Sequence, residues 1–208
     1  MITIYHLSNS RSERIIWLME ELGLPYRVEK FQRDANMLAP AAMRAIHPLG
    51  KSPMIRDGDV VLIESGAIVE YIINRHGGGR LAPAVNAADY PRYLQWLHFA
   101  EGSALAYLVG RMFLGDGSGM LGQISSKDFL DENCERYIDY MESTLGEQPY
   151  FAGANFTAAD IMMIYVIDFL KRFEQRDLTP YPNMVRYFAR IGERPAFQKA
   201  MAFANPPA

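Results

Sequence analysis

The sequence predicts an α/β domain followed by an all-helical domain. Over residues 1–75, short β-type runs alternate with helical patterns in the order βαβαββα. Beyond residue 88, the only convincing periodicity is helical. The stretch 76–80 contains three consecutive glycines and interrupts both patterns. We therefore expect three segments, namely a first domain over residues 1–76, a linker over 77–88 and a helical domain over 89–208.

Each element of the first domain has a local signature. In the first helix, four apolar residues share one face and Gly23 marks the end. The pair Asp57-Gly58 between two apolar runs is typical of a tight turn and predicts an antiparallel hairpin. The predicted elements are the strand Ile2 to His6, the helix 12–23, the strand Tyr26 to Phe31, the helix 39–46, hairpin strands beginning at Pro53 and Val60, and the helix Ser65 to Arg75.

The second domain divides into helical segments alone. Thr157 is placed to cap one of them, and Asp160, three residues later, completes an acidic form of the capping box. Phe156 and Ile161 flank this start as a hydrophobic staple. The predicted helices cover residues 89–114, 126–145, 157–172, 182–192 and 195–203, with the glycine-rich stretch 115–122 between the first two.

The composition narrows the classes of function. The 208 residues are 50% hydrophobic and 22% charged, which is typical of a globular chain with a sizeable core. A formal net charge of −3 predicts neither a nucleic-acid partner nor binding to an anionic membrane. The apolar runs are too short to cross a bilayer, and the N-terminus has no secretory pattern. We therefore expect a soluble protein in the cytoplasm.

The chain has one cysteine, Cys134, in a predicted helix. A single cysteine excludes an internal disulfide, a CxxC redox pair and a cysteine-rich zinc site. His6, His76 and His98 have no metal-ligand spacing with another donor, and no metal is expected. Cys134 therefore has the pattern of a structural residue.

Four short motifs follow one another along the whole chain. They are the opening Tyr5-His-Leu-Ser-Asn-Ser10-Arg-Ser-Glu-Arg14, the segment His47-Pro-Leu-Gly-Lys-Ser-Pro53, the pair Glu64-Ser65, and the box from Thr157 to Asp160. Together they resemble the cytosolic glutathione transferases. Within that superfamily, Asn9-Ser-Arg11 followed by Trp17-Leu-x-Glu-Glu-Leu-Gly-Leu-Pro-Tyr26 resembles a bacterial and fungal branch. That branch has serine where several animal classes have a catalytic tyrosine.

The resemblance implies a thioredoxin-like domain that binds glutathione, a helical domain that contributes the electrophile site, and a homodimer. It also implies a detoxifying transferase with glutathione as co-substrate and no metal. The bound glutathione thiolate would attack a small hydrophobic electrophile, by conjugation or displacement.

Ser10 is the residue expected to activate the thiol. A free thiol titrates near pH 8.5, so the site must favour the thiolate, and the Ser10 hydroxyl is placed to donate to its sulfur. Asn9 and Ser8 are rival donors, whereas Ser12 is expected to lie inside the helix. From spacing alone, Ser10 and Glu13 also fit a capping box, which would make Ser10 only a helix cap.

The second motif supplies three expected contacts with glutathione. A trans Pro53 at a strand start is the commoner arrangement, but the resemblance implies a cis proline. The backbone of Ser52 would then pair with the cysteinyl part of glutathione like an added strand. Lys51 would meet the glycine carboxylate, although most single lysines are only surface charge.

Glu64 and Ser65 lie where a strand gives way to a helix. Ser65 fits the cap of that helix. The same geometry also provides an anion site for the γ-glutamyl carboxylate, with Glu64 facing the ligand's ammonium group.

Tyr107 and Arg111 are candidates for the electrophile site. They lie one turn apart on a predicted helix. Tyr107 also continues a stripe of core residues on that element, comprising Tyr93, Trp96, Leu97 and Ala100.

Two other functions remain open at this point. A peroxidase, dehalogenase, lyase or isomerase that uses glutathione would share the thiolate and differ in its second substrate. A binding or regulatory protein would keep the fold without catalysis. A disulfide reductase is disfavoured, because no cysteine occurs near the expected site.

Overall fold

Residues 1–75 form a four-stranded sheet and three helices in the predicted order βαβαββα. The computed structural model describes residues 1–36, 38–114 and 126–204. The glycine-rich stretch 115–122 lies outside the described residues. The first elements are β1 (Ile2–Leu7), α1 (Glu13–Leu22), β2 (Tyr26–Phe31), α2 (Ala41–Ile46), β3 (Met54–Asp57), β4 (Val60–Ile63) and α3 (Ser65–Arg75).

The strands lie in the order β2-β1-β3-β4. Strand β1 is parallel to β2, because α1 carries the chain back to the starting end of the sheet. Strand β3 is antiparallel to both of its neighbours, with Met54 opposite Tyr5 on β1 and Ile63 on β4. Consequently the end of β1, the start of β3 and the end of β4 lie at the same end of the sheet.

Strand β1 is buried on both faces. Because side chains alternate along a strand, Ile4 and His6 share one face and Tyr5 and Leu7 the other. All four are buried. Tyr5 and Leu7 belong to a core cluster with Met43 and Met54, against which Phe31 and Ile46 also pack.

The last helix, α9 (Pro195–Ala204), packs on α1. The Phe197 ring meets the edge of Trp17 at a centroid distance of 5.0 Å. The Arg194 guanidinium donates two hydrogen bonds to Glu21, at 2.6 and 2.7 Å. These contacts join the end of the chain to its beginning.

By its contacts, the chain divides into two compact units. The first combines Met1–Ala82 with the segment that starts at Ile191, and the second is Pro83–Arg190. The sequence-based division assigned α9 to the helical domain, whereas its packing assigns it to the first unit. The predicted boundaries, with a linker over 77–88, remain a prediction.

The remaining elements that the structure describes are helical, as predicted. They are α4 (Tyr90–Phe99), a π-helical segment (Ala100–Leu105), α5 (Ala106–Leu114), α6 (Ser126–Glu147), α7 (Ala158–Arg172) and α8 (Pro182–Gly192). The predicted single helix over 89–114 is therefore an α-helix with six more widely wound residues inside it. The side chains that were predicted to form a stripe of core residues on this helix are all buried, namely Tyr93, Trp96, Leu97 and Ala100.

The start of α7 has the predicted capping box. The Thr157 and Asp160 side chains exchange hydrogen bonds with each other's backbone N–H. Phe156, predicted as part of a staple, meets the ring of Tyr150 at 5.8 Å. Within the described ranges, no helix combines the length and apolar character that crossing a bilayer requires.

Candidate active site

The loop after β1 carries three of the predicted candidates. The Ser8 hydroxyl donates to Gln32 Oε1 at 3.1 Å. Asn9 is exposed and has a left-handed backbone, with φ of 51°. The Arg33 guanidinium donates to the carbonyls of Ser8 and Asn9, at 3.1 and 2.9 Å. Arg33 therefore holds the loop in place from the end of β2.

Ser10 is buried, and its hydroxyl joins two other serines. Its Oγ lies 2.8 Å from Ser12 Oγ and 2.8 Å from Ser52 Oγ, which comes from the second motif. Helix α1 begins at Glu13, directly after Ser12, so Ser10 is not the cap of a capping box. Its Oγ accepts only a long bond, at 3.4 Å, from the Ser12 N–H. The expectation that Ser12 lies inside the helix is wrong by one residue.

His6, on β1, is buried and contacts one of these serines. Its Nδ1 is 2.7 Å from Ser12 Oγ, and its Nε2 is 3.1 Å from the carbonyl of Ala204 at the end of α9. Burial lowers the pKa of His6 and the Lys30 ammonium lowers it further, while the Ala204 carbonyl and the Glu13 carboxylate raise it. The net shift is downward, so the imidazole is neutral at neutral pH.

The second motif meets the first at the start of β3. The Ser52–Pro53 peptide is cis, as the resemblance implied. Ser52 is half-buried, Pro53 is buried and Lys51 is exposed. The hydrogen bond between Ser10 and Ser52 joins two loops that are 42 residues apart in the sequence.

Glu64 and Ser65 follow β4 at the same end of the sheet. Glu64 is exposed and has a φ of 73°. It precedes α3, and Ser65 is the first helical residue, so the prediction of Ser65 as the cap is wrong by one position. Ser65 is nevertheless buried, and the N–H groups of the first turn have no partner inside the helix. Such a helix start suits a carboxylate.

Sequence reasoning missed His6 and Arg33. The position of His6 in a predicted strand gives no indication of a hydroxyl partner six residues later. Arg33 lies in a loop without periodicity. The signal that was present is the alternation of β1, which puts His6 on the same face as the apolar Ile4.

Tyr107 and Arg111 both contact other side chains of the second unit. The Tyr107 ring meets Tyr137 edge-on at 5.2 Å. Arg111 donates to Glu174 at 3.2 and 2.5 Å and to Glu135 at 2.9 Å. All three guanidinium nitrogens of Arg111 therefore have carboxylate partners. Their assignment to an electrophile site remains a prediction.

Cys134 lies in the same region and is fully buried. Burial raises the pKa of its thiol to about 11, although the Arg111 guanidinium acts in the opposite direction. Among the described residues, no group of three or more histidine, cysteine, aspartate or glutamate side chains has an arrangement that would hold a metal ion.

Comparison with protein families finds two matching models. The model of the N-terminal domain of glutathione S-transferases matches residues 4–80. The model of the C-terminal domain of glutathione S-transferases matches residues 121–202. The two matches together span most of the chain.

Individual relatives and solved structures agree with these matches. Glutathione S-transferase 3 of Schizosaccharomyces pombe is 34% identical, over 94% of this chain and 85% of its own length. The crystal structure of a glutathione S-transferase from Actinobacillus pleuropneumoniae has a TM-score of 0.86 at 30% identity, covering 99% of this chain and 93% of that one. A family member from Pseudomonas fluorescens, crystallised with two glutathione bound, shares the fold with a TM-score of 0.78 at 23% identity, covering 96% and 92% of the two chains.

Proposed function

The chain belongs to the glutathione S-transferase family and is a glutathione transferase, and from this premise we propose how its residues carry out the reaction. The thiol of bound glutathione loses its proton, and the thiolate attacks a small hydrophobic electrophile. Ser10 donates a hydrogen bond to the sulfur and lowers the thiol's pKa. The observation that carries this proposal is the buried Ser10 hydroxyl, held between two others at the end of the sheet.

The tripeptide is bound by the other two motifs at that end. The backbone N–H and C=O of Ser52, next to Pro53, pair with the cysteinyl part of glutathione in the manner of an added strand. Ser65 and the free N–H groups of the first turn of α3 bind the γ-glutamyl carboxylate. Glu64 faces the ammonium group, and Lys51 meets the glycine carboxylate. The register that puts the start of β3 beside the end of β4 supports this arrangement.

Asn9 is the second donor that we propose near the sulfur. It is exposed in a left-handed turn one residue before Ser10, and Arg33 fixes its carbonyl. Its side-chain amide would then be directed by a rigid backbone.

Tyr107 and Arg111 are proposed to border the electrophile. Tyr107 is half-buried among aromatic rings, a suitable surface for an apolar substrate. Arg111 would act through its ion pairs with Glu174 and Glu135, by holding the helix that carries Tyr107.

We further propose that the protein is a homodimer, that it is cytoplasmic and that it serves in detoxification. Family membership supports all three. Cell fractionation would test the location, because recovery in a membrane or secreted fraction would contradict it.

A titration of thiolate absorbance tests the catalytic proposal. Glutathione bound to the wild-type protein should titrate about one pKa unit or more below the free thiol, which corresponds to about 1.4 kcal/mol of preference for the thiolate. Ser10→Ala should lose most of that shift. Ser143→Ala, which removes an exposed hydroxyl on α6, is the matched control and should titrate like the wild type.

Two outcomes would contradict the proposal in different ways. An unchanged shift in Ser10→Ala would assign activation to another donor, and Asn9→Ala would then be the variant that loses it. Absence of any shift in the wild-type complex would contradict activation of glutathione altogether and would favour a binding protein.

A further inference from the structure

A continuous chain of hydrogen bonds leads from the proposed sulfur position into the core. It runs from Ser52 Oγ to Ser10 Oγ at 2.8 Å, to Ser12 Oγ at 2.8 Å, and to His6 Nδ1 at 2.7 Å. It ends at the carbonyl of Ala204, 3.1 Å from His6 Nε2. Every member except Ser52 lies in a buried part of the chain. The inference below rests on the proposed role of Ser10 at the sulfur.

The direction of the hydrogen bonds follows from the number of protons. A carbonyl can only accept, so His6 Nε2 carries a proton and donates it to Ala204. In a neutral imidazole, Nδ1 is then an acceptor, and the Ser12 hydroxyl must donate to it. Ser12 has no second proton, so Ser10 donates to Ser12, and Ser52 in turn donates to Ser10. In the resting protein, all three hydroxyl protons point toward His6.

With the hydroxyl protons pointing toward His6, Ser10 has no proton to donate to a thiolate. Its Oγ can instead accept the proton of the glutathione thiol. A glutathione thiolate beside Ser10 is stabilised only when the Ser10 hydroxyl proton points at the sulfur. The same chain with a protonated His6 runs in the opposite direction, from Nδ1 to Ser12, to Ser10 and to the sulfur. The hydroxyl chain therefore has two arrangements, and the protonation state of His6 selects between them.

We propose that His6 receives the proton that the glutathione thiol loses, through Ser10 and Ser12. The S–H bond breaks as its proton passes to Ser10 Oγ. The former Ser10 proton passes to Ser12 Oγ, and the former Ser12 proton passes to His6 Nδ1. The products are a thiolate and an imidazolium, and both serines remain neutral hydroxyls. The Ser10 proton now points at the sulfur, so the transfer itself creates the activating hydrogen bond.

The charged groups around His6 fit this role. Burial keeps the imidazole neutral at rest and so leaves Nδ1 available as an acceptor. The buried Glu13 carboxylate on α1 favours the imidazolium, and so does the Ala204 carbonyl on α9. Lys30 on β2 opposes it, but its ammonium is engaged by the Phe203 carbonyl at 2.7 Å. The thiolate formed at the end of the chain adds a further negative charge and raises the pKa of His6.

Counting the protons released on binding tests the proposal. Glutathione is titrated into the protein near pH 7.5 by calorimetry in two buffers of different ionisation enthalpy, and the thiolate is measured in parallel by its absorbance. The wild type should form thiolate while releasing well under one proton per thiolate, because His6 retains it. An enzyme that passes the proton to solvent releases one proton for each thiolate formed.

Two variants interrupt the chain at different points. His6→Asn keeps an amide oxygen that can accept from Ser12 but cannot take up a proton. Ser12→Ala leaves His6 in place and removes the link, which guards against loss of folding in the first variant. Both should release one proton per thiolate, and their thiolate fraction should fall roughly tenfold, as for one unit of thiol pKa. His98→Asn, an exposed histidine on α4, is the matched control and should behave as the wild type.

The outcomes separate this inference from the function on which it rests. If the wild type forms thiolate with full proton release, and His6→Asn leaves the thiol pKa unchanged, then His6 has no role and Ser10 remains the activating donor. If the wild type forms no thiolate, the catalytic proposal fails and the relay fails with it. Reduced release in the wild type together with full release in Ser12→Ala would establish the relay.

Discussion

At the scale of single residues, surroundings decide which polar side chain can react. Ser10 and Cys134 both carry a potentially nucleophilic or activating group. Ser10 is linked to two hydroxyls at the end of the sheet, whereas Cys134, on α6, is fully buried. Because burial raises the pKa of the Cys134 thiol to about 11, it stays protonated at neutral pH. The chain's single cysteine is therefore structural.

The variant Cys134→Ala should keep its catalytic rate. We expect kcat/KM with glutathione and an activated aryl halide to remain within about twofold of wild type, since a buried protonated thiol contributes nothing to the thiolate of glutathione. The free energy of unfolding should fall by about 1 kcal/mol, because a small cavity replaces the sulfur. Ser10→Ala measured in the same assay provides the contrast. A loss of rate in Cys134→Ala as large as that in Ser10→Ala would mean that the thiol takes part in the reaction.

At the scale of elements, the capping box that the sequence predicts at the start of α7 is present in the structure, and both of its residues are buried. The Asp160 carboxylate accepts from the N–H groups of Phe151 and Thr157, at 3.0 and 2.8 Å, and from the Tyr187 hydroxyl at 3.2 Å. These bonds secure the first turn of the helix to the preceding loop and to α8. Burial nevertheless outweighs them and raises the pKa of Asp160 to about 6.

This raised pKa predicts a particular pH dependence of stability. The folded state holds the Asp160 proton more tightly than the unfolded state, whose aspartate titrates near pH 4. The Asp160 contribution to the free energy of unfolding should therefore be fully present below pH 4 and fall by about 3 kcal/mol as the pH rises to about 6. Asp160→Asn cannot titrate, so the difference in stability between wild type and variant should narrow by that amount over this range.

Urea denaturation at a series of pH values measures that difference. Asp139→Asn makes the same change of residue type at an exposed position on α6 and is the matched control. A difference for Asp160→Asn that widens between pH 4 and pH 7 would mean that the ionised carboxylate is the more stable buried form.

At the scale of the whole molecule, the sequence predicted the type and order of the elements that have a local pattern. The order βαβαββα, the hairpin at Asp57-Gly58 and the helical remainder all have short-range signals, and the structure confirms them. The packing of α9 on α1 was missed, because the partners Arg194 and Glu21 are 173 residues apart and have no common periodicity. The same holds for His6 and Ala204, 198 residues apart.

Light scattering tests the proposed assembly of the whole molecule. A homodimer of a 23.6 kDa chain should give a mass of about 47 kDa at micromolar concentration, and dilution should leave it unchanged if the two copies associate tightly. The physical reason is that tight association keeps the dissociation constant below the concentrations of the dilution series, so the mass stays that of two copies. A mass of 23.6 kDa throughout the dilution series would contradict the homodimer.

Because α9 belongs to the first unit, that unit is complete only when the end of the chain has been synthesised. More than a hundred residues separate Ala82 from the end of α9. At about 5–20 residues per second, the ribosome needs several seconds to synthesise them. Throughout that interval the nascent chain contains Ser10, Ser12 and His6 but lacks Ala204, whose carbonyl contacts the ring of His6 in the finished protein. If His6 takes up the thiol proton as we propose, we expect the chain to activate glutathione fully only once α9 has been synthesised.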